Sequence, residues 1–153
     1  MIQAGSAAPE FTLPDQDGTK VSLADFRGRT VVLVFYPSDF SPVCTDQLSV
    51  YQEVLPQLEE AGAQLVGISV DGAFCHKAFQ QTQGLSLPLL ADFHPKGEVS
   101  KAYGAYSEDY GVAGRALVMV GPDGVVRWSY LSPPLEVPGA NLIFDALEQR
   151  TPA

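Results

Sequence analysis

Six consecutive apolar or aromatic residues, Val31 to Tyr36, form the most continuous hydrophobic run near the middle of the first half of the chain. The run is too short for a helix and rich in β-branched types, which predicts a strand buried on both faces and therefore a parallel sheet. After a loop held by Pro37 and Pro42, Leu48, Tyr51, Val54, Leu55 and Leu58 recur at helical spacing and predict a helix from about Cys44 to Glu60. Pro56 removes one of its backbone hydrogen bonds, so a bend or break is expected between Gln52 and Pro56, with Gly62 ending the helix. Gln64 to Val70 reads as a second buried strand, Asp71 as an N-cap, and Ala73 to Gln83 as a helix closed by Gly84.

The flanking segments follow the same logic. Phe11 to Leu13 and Lys20 to Leu23 bracket Asp17-Gly18 and predict a short N-terminal hairpin. Leu87 to Ala91 is a short strand, Gly97 to Tyr103 a short helix, and the glycine- and tyrosine-rich Tyr103 to Gly114 a loop. Arg115 to Val120, the turn Gly121-Pro-Asp-Gly124 and Val125 to Tyr130 predict an antiparallel hairpin. Pro133, Pro134 and Pro138 stiffen a connector, and Leu142, Ile143, Ala146 and Leu147 mark the apolar face of a last helix. A βαβ unit followed by an antiparallel hairpin and a closing helix predicts an α/β, thioredoxin-like fold. Its mixed central sheet carries helices on both faces and an N-terminal β-hairpin extension, in a single domain spanning 1–153.

Composition narrows the possibilities. A chain of 153 residues that is 46% hydrophobic and 18% charged is long enough for a full core and too apolar to be disordered. A net charge of −9 makes nucleic acid and anionic membrane surfaces poor partners. With no apolar run approaching the roughly 20 residues of a membrane span, and no basic start followed by an apolar segment, the expected location is the cytoplasm. Two widely separated cysteines make neither a disulfide scaffold nor a zinc site, and His76 and His94 have no ligand-like spacing.

The chemistry concentrates at Cys44. A thiol in the first turn of a helix faces unpaired N–H groups and the positive end of the macrodipole, which favours the thiolate, the nucleophilic form. Taken alone, a cysteine after a buried strand also reads as a small core residue.

The stretch Pro37-Ser-Asp-Phe-Ser41-Pro-Val-Cys44 resembles the Pro-x-x-x-Thr/Ser-x-x-Cys active-site motif of the peroxiredoxins. Ala8 to Leu13, Val32 to Pro37, Gly67 to Asp71, Leu87 to Asp92, Val99 to Gly104 and the hairpin headed by Arg115 are similar to further family landmarks, in family order. The small bacterioferritin-comigratory and alkyl-hydroperoxide-reductase E types are the branches most like it. The resemblance implies a thiol-dependent peroxidase acting on hydrogen peroxide and organic hydroperoxides without haem, metal or flavin. Cys44 would attack the peroxide, Arg115 supply a cation, Ser41 orient the substrate and Pro37 shield the sulfur. Gln47 stands where a polar residue often faces the site, and equally reads as an exposed helix position.

Cys75 departs from the commoner pattern, in which a resolving cysteine follows the first by five residues; Ser49 stands there instead. Some relatives carry the resolving cysteine in the next helix, so the resemblance implies that Cys75 resolves Cys44 as an intramolecular disulfide, recycled by a thioredoxin-like dithiol. Its helix-start position is expected to activate this thiol too, and His76 reads as a surface histidine. Packed helices lie roughly 8–10 Å apart whereas a disulfide needs Cα atoms within about 7 Å, so the first turn of one or both helices must unwind. Gly72 and Pro42 would ease that opening. The alternatives are a one-cysteine enzyme resolved by an external thiol, a redox-sensing binding module, and a dithiol oxidoreductase, which the lack of a Cys-x-x-Cys disfavours. A monomer or small homodimer is expected.

Overall fold

The computed structural model describes residues 1–149; residues 150–153 of the expected domain lie outside them. In chain order the elements are β1 (Thr12–Pro14), β2 (Lys20–Ser22), a 3-10 turn (Leu23–Phe26), β3 (Thr30–Phe35), α1 (Pro42–Glu53), α2 (Leu55–Glu60), β4 (Ala63–Ser69), α3 (Ala73–Gln83) and β5 (Leu89–Ala91). They continue with α4 (Glu98–Ala102), β6 (Tyr106–Ser107), β7 (Val112–Ala113), β8 (Ala116–Val120), β9 (Val126–Leu131) and α5 (Ala140–Gln149). Five strands form the main sheet in the order β5-β4-β3-β8-β9, with β3, β4 and β5 parallel and β8 and β9 antiparallel. This is the mixed sheet of a thioredoxin-like fold, and β1 and β2 form the N-terminal hairpin.

Every residue of β3 is buried because both faces of the sheet are covered. Side chains alternate across a strand, and the core splits accordingly. Val31, Leu33 and Phe35 pack with Phe11, Leu23, Phe26, Val99 and Tyr103, under the N-terminal hairpin and α4. Val32, Val34 and Tyr36 pack with Leu48, Leu58, Phe79, Ile143 and Leu147, under α1, α2, α3 and α5.

The helix expected over Cys44 to Glu60 breaks at Val54 (φ −104°, ψ 9°), leaving Pro56 in the first turn of α2, where a missing N–H costs nothing. Gly84 closes α3 in the left-handed conformation, at φ 65°. Two readings need correction. Residues 103–114 are not all loop: β6 and β7 pair antiparallel over two residues each, too short for any periodicity to announce. Asp71 does not cap α3. The N-cap is Gly72, and the Asp71 carboxylate accepts hydrogen bonds from Ser69 Oγ (2.6 Å) and the Asp39 N–H (2.8 Å) instead.

Leu33 sits at the centre of β3 with no exposed surface. Leu33→Ala is expected to lower unfolding free energy by about 2–5 kcal/mol in urea titration. A loss below about 1 kcal/mol would mean that the sheet collapses around the gap instead of keeping this packing.

Candidate active site

The register of β3 and β8 places the site. Phe35 pairs with Ala116, so Tyr36 and Arg115 leave the sheet side by side at the end where the loop 37–41 begins. That loop ends at Ser41, the N-cap of α1, whose backbone is extended (φ −68°, ψ 144°) and whose Oγ accepts from the Cys44 N–H at 3.3 Å. The Ser41 carbonyl accepts from the Thr45 N–H (2.9 Å) and Thr45 Oγ1 (2.8 Å). Pro42 starts the helix at a position with no hydrogen bond to lose. Capping therefore holds Cys44 in the first turn, as expected. Pro37 is half-buried at the loop's start.

Cys44 has no exposed surface, and Arg115 is itself only 3% exposed. The Arg115 Nη1 donates to Cys44 Sγ at 3.3 Å and to Gln47 Oε1 at 2.8 Å, while its Nε donates to the Pro134 carbonyl at 3.2 Å. None of these partners is a carboxylate, and the ion pairs among the described residues do not include Arg115. A buried cation is thus met by two neutral oxygens and one sulfur, and the sulfur is the partner able to carry a full negative charge.

Gln47 resolves to the functional side of its two readings: it is fully buried and aims at the site. Its Nε2 donates to Tyr51 Oη (3.2 Å), which donates to the Pro138 carbonyl (2.6 Å). Burial pushes the Tyr51 phenol up to about 12, keeping it a donor. Tyr51 was legible only as part of an apolar helix face, although a hydroxyl on such a face needs a partner.

Cys75 lies in the first turn of α3, half-buried and, like Cys44, a free thiol. Its Sγ and carboxylate oxygens of Asp39 and Asp71 lie within 4.8 Å of one another. Desolvation first, then the charge of Asp39 and a hydrogen bond to it, then the charge of Asp71, push this thiol up to about 11. The expectation that the helix start activates Cys75 is therefore corrected, because burial and two carboxylates outweigh the macrodipole. His76 is corrected as well. It is fully buried, with Nδ1 2.7 Å from Asp39 Oδ2 and Nε2 3.0 Å from the Leu90 carbonyl. Asp39, Asp71 and Cys75 are also the one group among the described residues close enough to share a metal ion. Tyr36, His76, Ser69 and a backbone N–H already engage the carboxylates.

Comparison with known proteins agrees with this geometry. The model of the AhpC/TSA family matches residues 4–129. The chain is 38% identical over 152 residues to alkyl hydroperoxide reductase E of Mycobacterium tuberculosis, covering 99% of each. It is 42% identical over 130 residues to the chloroplastic peroxiredoxin Q of Oryza sativa subsp. japonica, covering 84% of this chain and 59% of that relative. Among solved structures, peroxidoxin BcpB from Mycobacterium tuberculosis superposes with a TM-score of 0.89 at 26% identity, over 99% of this chain and 100% of the other. With a family match over most of its length and a full-length relative above a third identical, the chain belongs to the AhpC/TSA family and is a peroxiredoxin, a thiol-dependent peroxidase.

Proposed function

We propose that Cys44 is the peroxidatic residue and that Arg115, Ser41 and Pro37 complete its site. The observation that carries this reading is the buried guanidinium 3.3 Å from the Cys44 sulfur, without a carboxylate to neutralise it. The thiolate attacks one oxygen of hydrogen peroxide or a small organic hydroperoxide. The O–O bond breaks, Cys44 becomes a sulfenic acid, and the other oxygen leaves as water or alcohol after taking a proton. Arg115 hydrogen-bonds the oxygens as negative charge passes from sulfur to the leaving group. Gln47 and Tyr51 fix the guanidinium, Ser41 offers its hydroxyl proton to the peroxide, and Pro37 shields the sulfur from water.

Cys75 then resolves the sulfenic acid as a disulfide, and a thioredoxin-like dithiol restores both thiols. Support comes from topology: α1 and α3 follow the adjacent parallel strands β3 and β4 and start at the same rim of the sheet. The elevated Cys75 thiol favours a second reading, a one-cysteine cycle completed by an external thiol. The unit acts in the cytoplasm as a monomer or small homodimer. No helix among the described residues is long and apolar enough to cross a membrane.

Cys44→Ser is expected to abolish peroxide consumption in a thioredoxin-coupled assay, and Arg115→Gln to lower the second-order rate about 10²–10³-fold. Retention of wild-type turnover by either would remove the assignment. Peptide mapping after one equivalent of hydrogen peroxide is expected to find a Cys44–Cys75 link. Cys44 sulfenic or sulfinic acid beside a free Cys75 would instead establish the one-cysteine cycle. In Cys44→Ser protein at pH 8, iodoacetamide should modify Cys75 about 100-fold more slowly than in urea, as a shift from 9.0 to about 11 requires. The native rate should climb about tenfold per pH unit up to about 11, because only the thiolate reacts. Equal native and unfolded rates would show that burial and the two carboxylates do not hold the proton on Cys75.

A further inference from the structure

The reaction at Cys44 uses one half of the rim where β3 and β4 end. The other half holds a buried polar cluster that the peroxidatic step leaves idle. Asp39, within the loop 37–41, is 5% exposed. Its Oδ1 accepts from Tyr36 Oη (2.6 Å), its Oδ2 meets His76 Nδ1 (2.7 Å), and its N–H donates to Asp71 (2.8 Å). The opposite nitrogen of His76 meets the Leu90 carbonyl at 3.0 Å. A carbonyl only accepts, so Nε2 carries a proton, and a second proton must lie between Nδ1 and the carboxylate. The contact is therefore a short hydrogen bond that shares this proton in full burial, where separating the partners leaves each without its match.

This one contact ties the loop that leads into Cys44 to the first turn of α3 that holds Cys75, and helices packed at the usual spacing of roughly 8–10 Å need local unwinding before a disulfide can form between them. The loop 37–41 leads into Cys44 and contains Phe40 at φ 67°, a left-handed conformation that a bulky residue keeps only when its surroundings impose it. His76 directly follows Cys75 in the first part of α3, and its N–H donates to the Gly72 carbonyl at 3.0 Å, closing the turn that contains Cys75.

We propose that Asp39 and His76 are positioning residues that form a latch between the active-site loop and α3, and that release of this latch sets the rate at which Cys75 resolves Cys44. The proposal rests on the assignment of Cys75 as the resolving thiol. While the latch is closed, both first turns stay wound and Cys75 stays a thiol among carboxylates. When it opens, Cys75 gives up its proton and its sulfur attacks the Cys44 sulfenic sulfur. The S–S bond forms, the S–O bond breaks, and the hydroxyl leaves with that proton as water. Peroxide supplied the oxidising equivalents in the preceding step. A closed latch prolongs the sulfenic acid, which a second peroxide converts to sulfinic acid. Both products arise from one intermediate, so at a given peroxide concentration their ratio measures the resolving step against the second oxidation, whatever happens to the first.

The test is the ratio of Cys44–Cys75 disulfide to Cys44 sulfinic acid, quantified by mass spectrometry across a hydrogen peroxide series, in wild type, His76→Gln and Asp39→Asn. Asp39→Asn is isosteric, and His76→Gln keeps the Asp39 charge beside Cys75, so a rise there reports release of the contact and not a more acidic thiol. The ratio is expected to rise about tenfold in both variants, the effect of weakening or losing one buried hydrogen bond. A wild-type ratio in both variants, or a rise in Asp39→Asn alone, overturns the latch while leaving Cys75 as the resolving residue. Absence of the link in all three proteins overturns the resolving assignment and the latch with it.

Discussion

The buried positive charge of Arg115 is the constraint on which the site depends. Removing a guanidinium from water is costly unless its donors are satisfied. Here the satisfaction comes from α1, through Gln47 and Cys44, and from the proline-rich connector, through Pro134. The pairing of Phe35 with Ala116 makes this possible, since it brings the start of β8 beside the end of β3. One strand register thus delivers the cation and the loop that leads into Cys44 to the same point. The chain of hydrogen bonds through Tyr51 to the Pro138 carbonyl ties the connector to the same helix and limits how far the guanidinium can swing.

The two cysteines occupy the same position, third in their helices, yet face opposite electrostatics. Cys44 meets a guanidinium; Cys75 meets the carboxylates of Asp39 and Asp71. Helix position is therefore not what distinguishes them. Their neighbours do, and each neighbour comes from a different part of the chain: Arg115 from the position just before β8, Asp39 from the loop after β3. Tyr36 stands between the two networks, with its ring in the core and its hydroxyl on Asp39. Burial and that carboxylate hold the phenol well above its ordinary range, so it serves as a donor.

The elements that one-dimensional pattern can encode were readable. The continuous apolar run of β3, the helical spacing after Cys44, the break just before Pro56 and the stop at Gly84 each follow from residues close together in the chain. The placing of Cys44 in the first turn of a helix was equally readable, because helix entry is a local event. The β6–β7 pair escaped because two residues carry no period. Asp71 was misread because a capping role competes with other partners, here Ser69 two residues before it and the Asp39 N–H from the loop after β3.

What the sequence by itself determined, then, is the order of strands and helices and the placing of Cys44 at a helix start, since both depend on neighbours within a few residues. What only the tertiary structure decided is the electrical character of each thiol's surroundings and the burial of Gln47 and His76. Those depend largely on residues far apart in the chain, 37 positions for Asp39 with His76 and 71 for Arg115 with Cys44, which no local pattern relates and which the strand register brings within hydrogen-bonding distance.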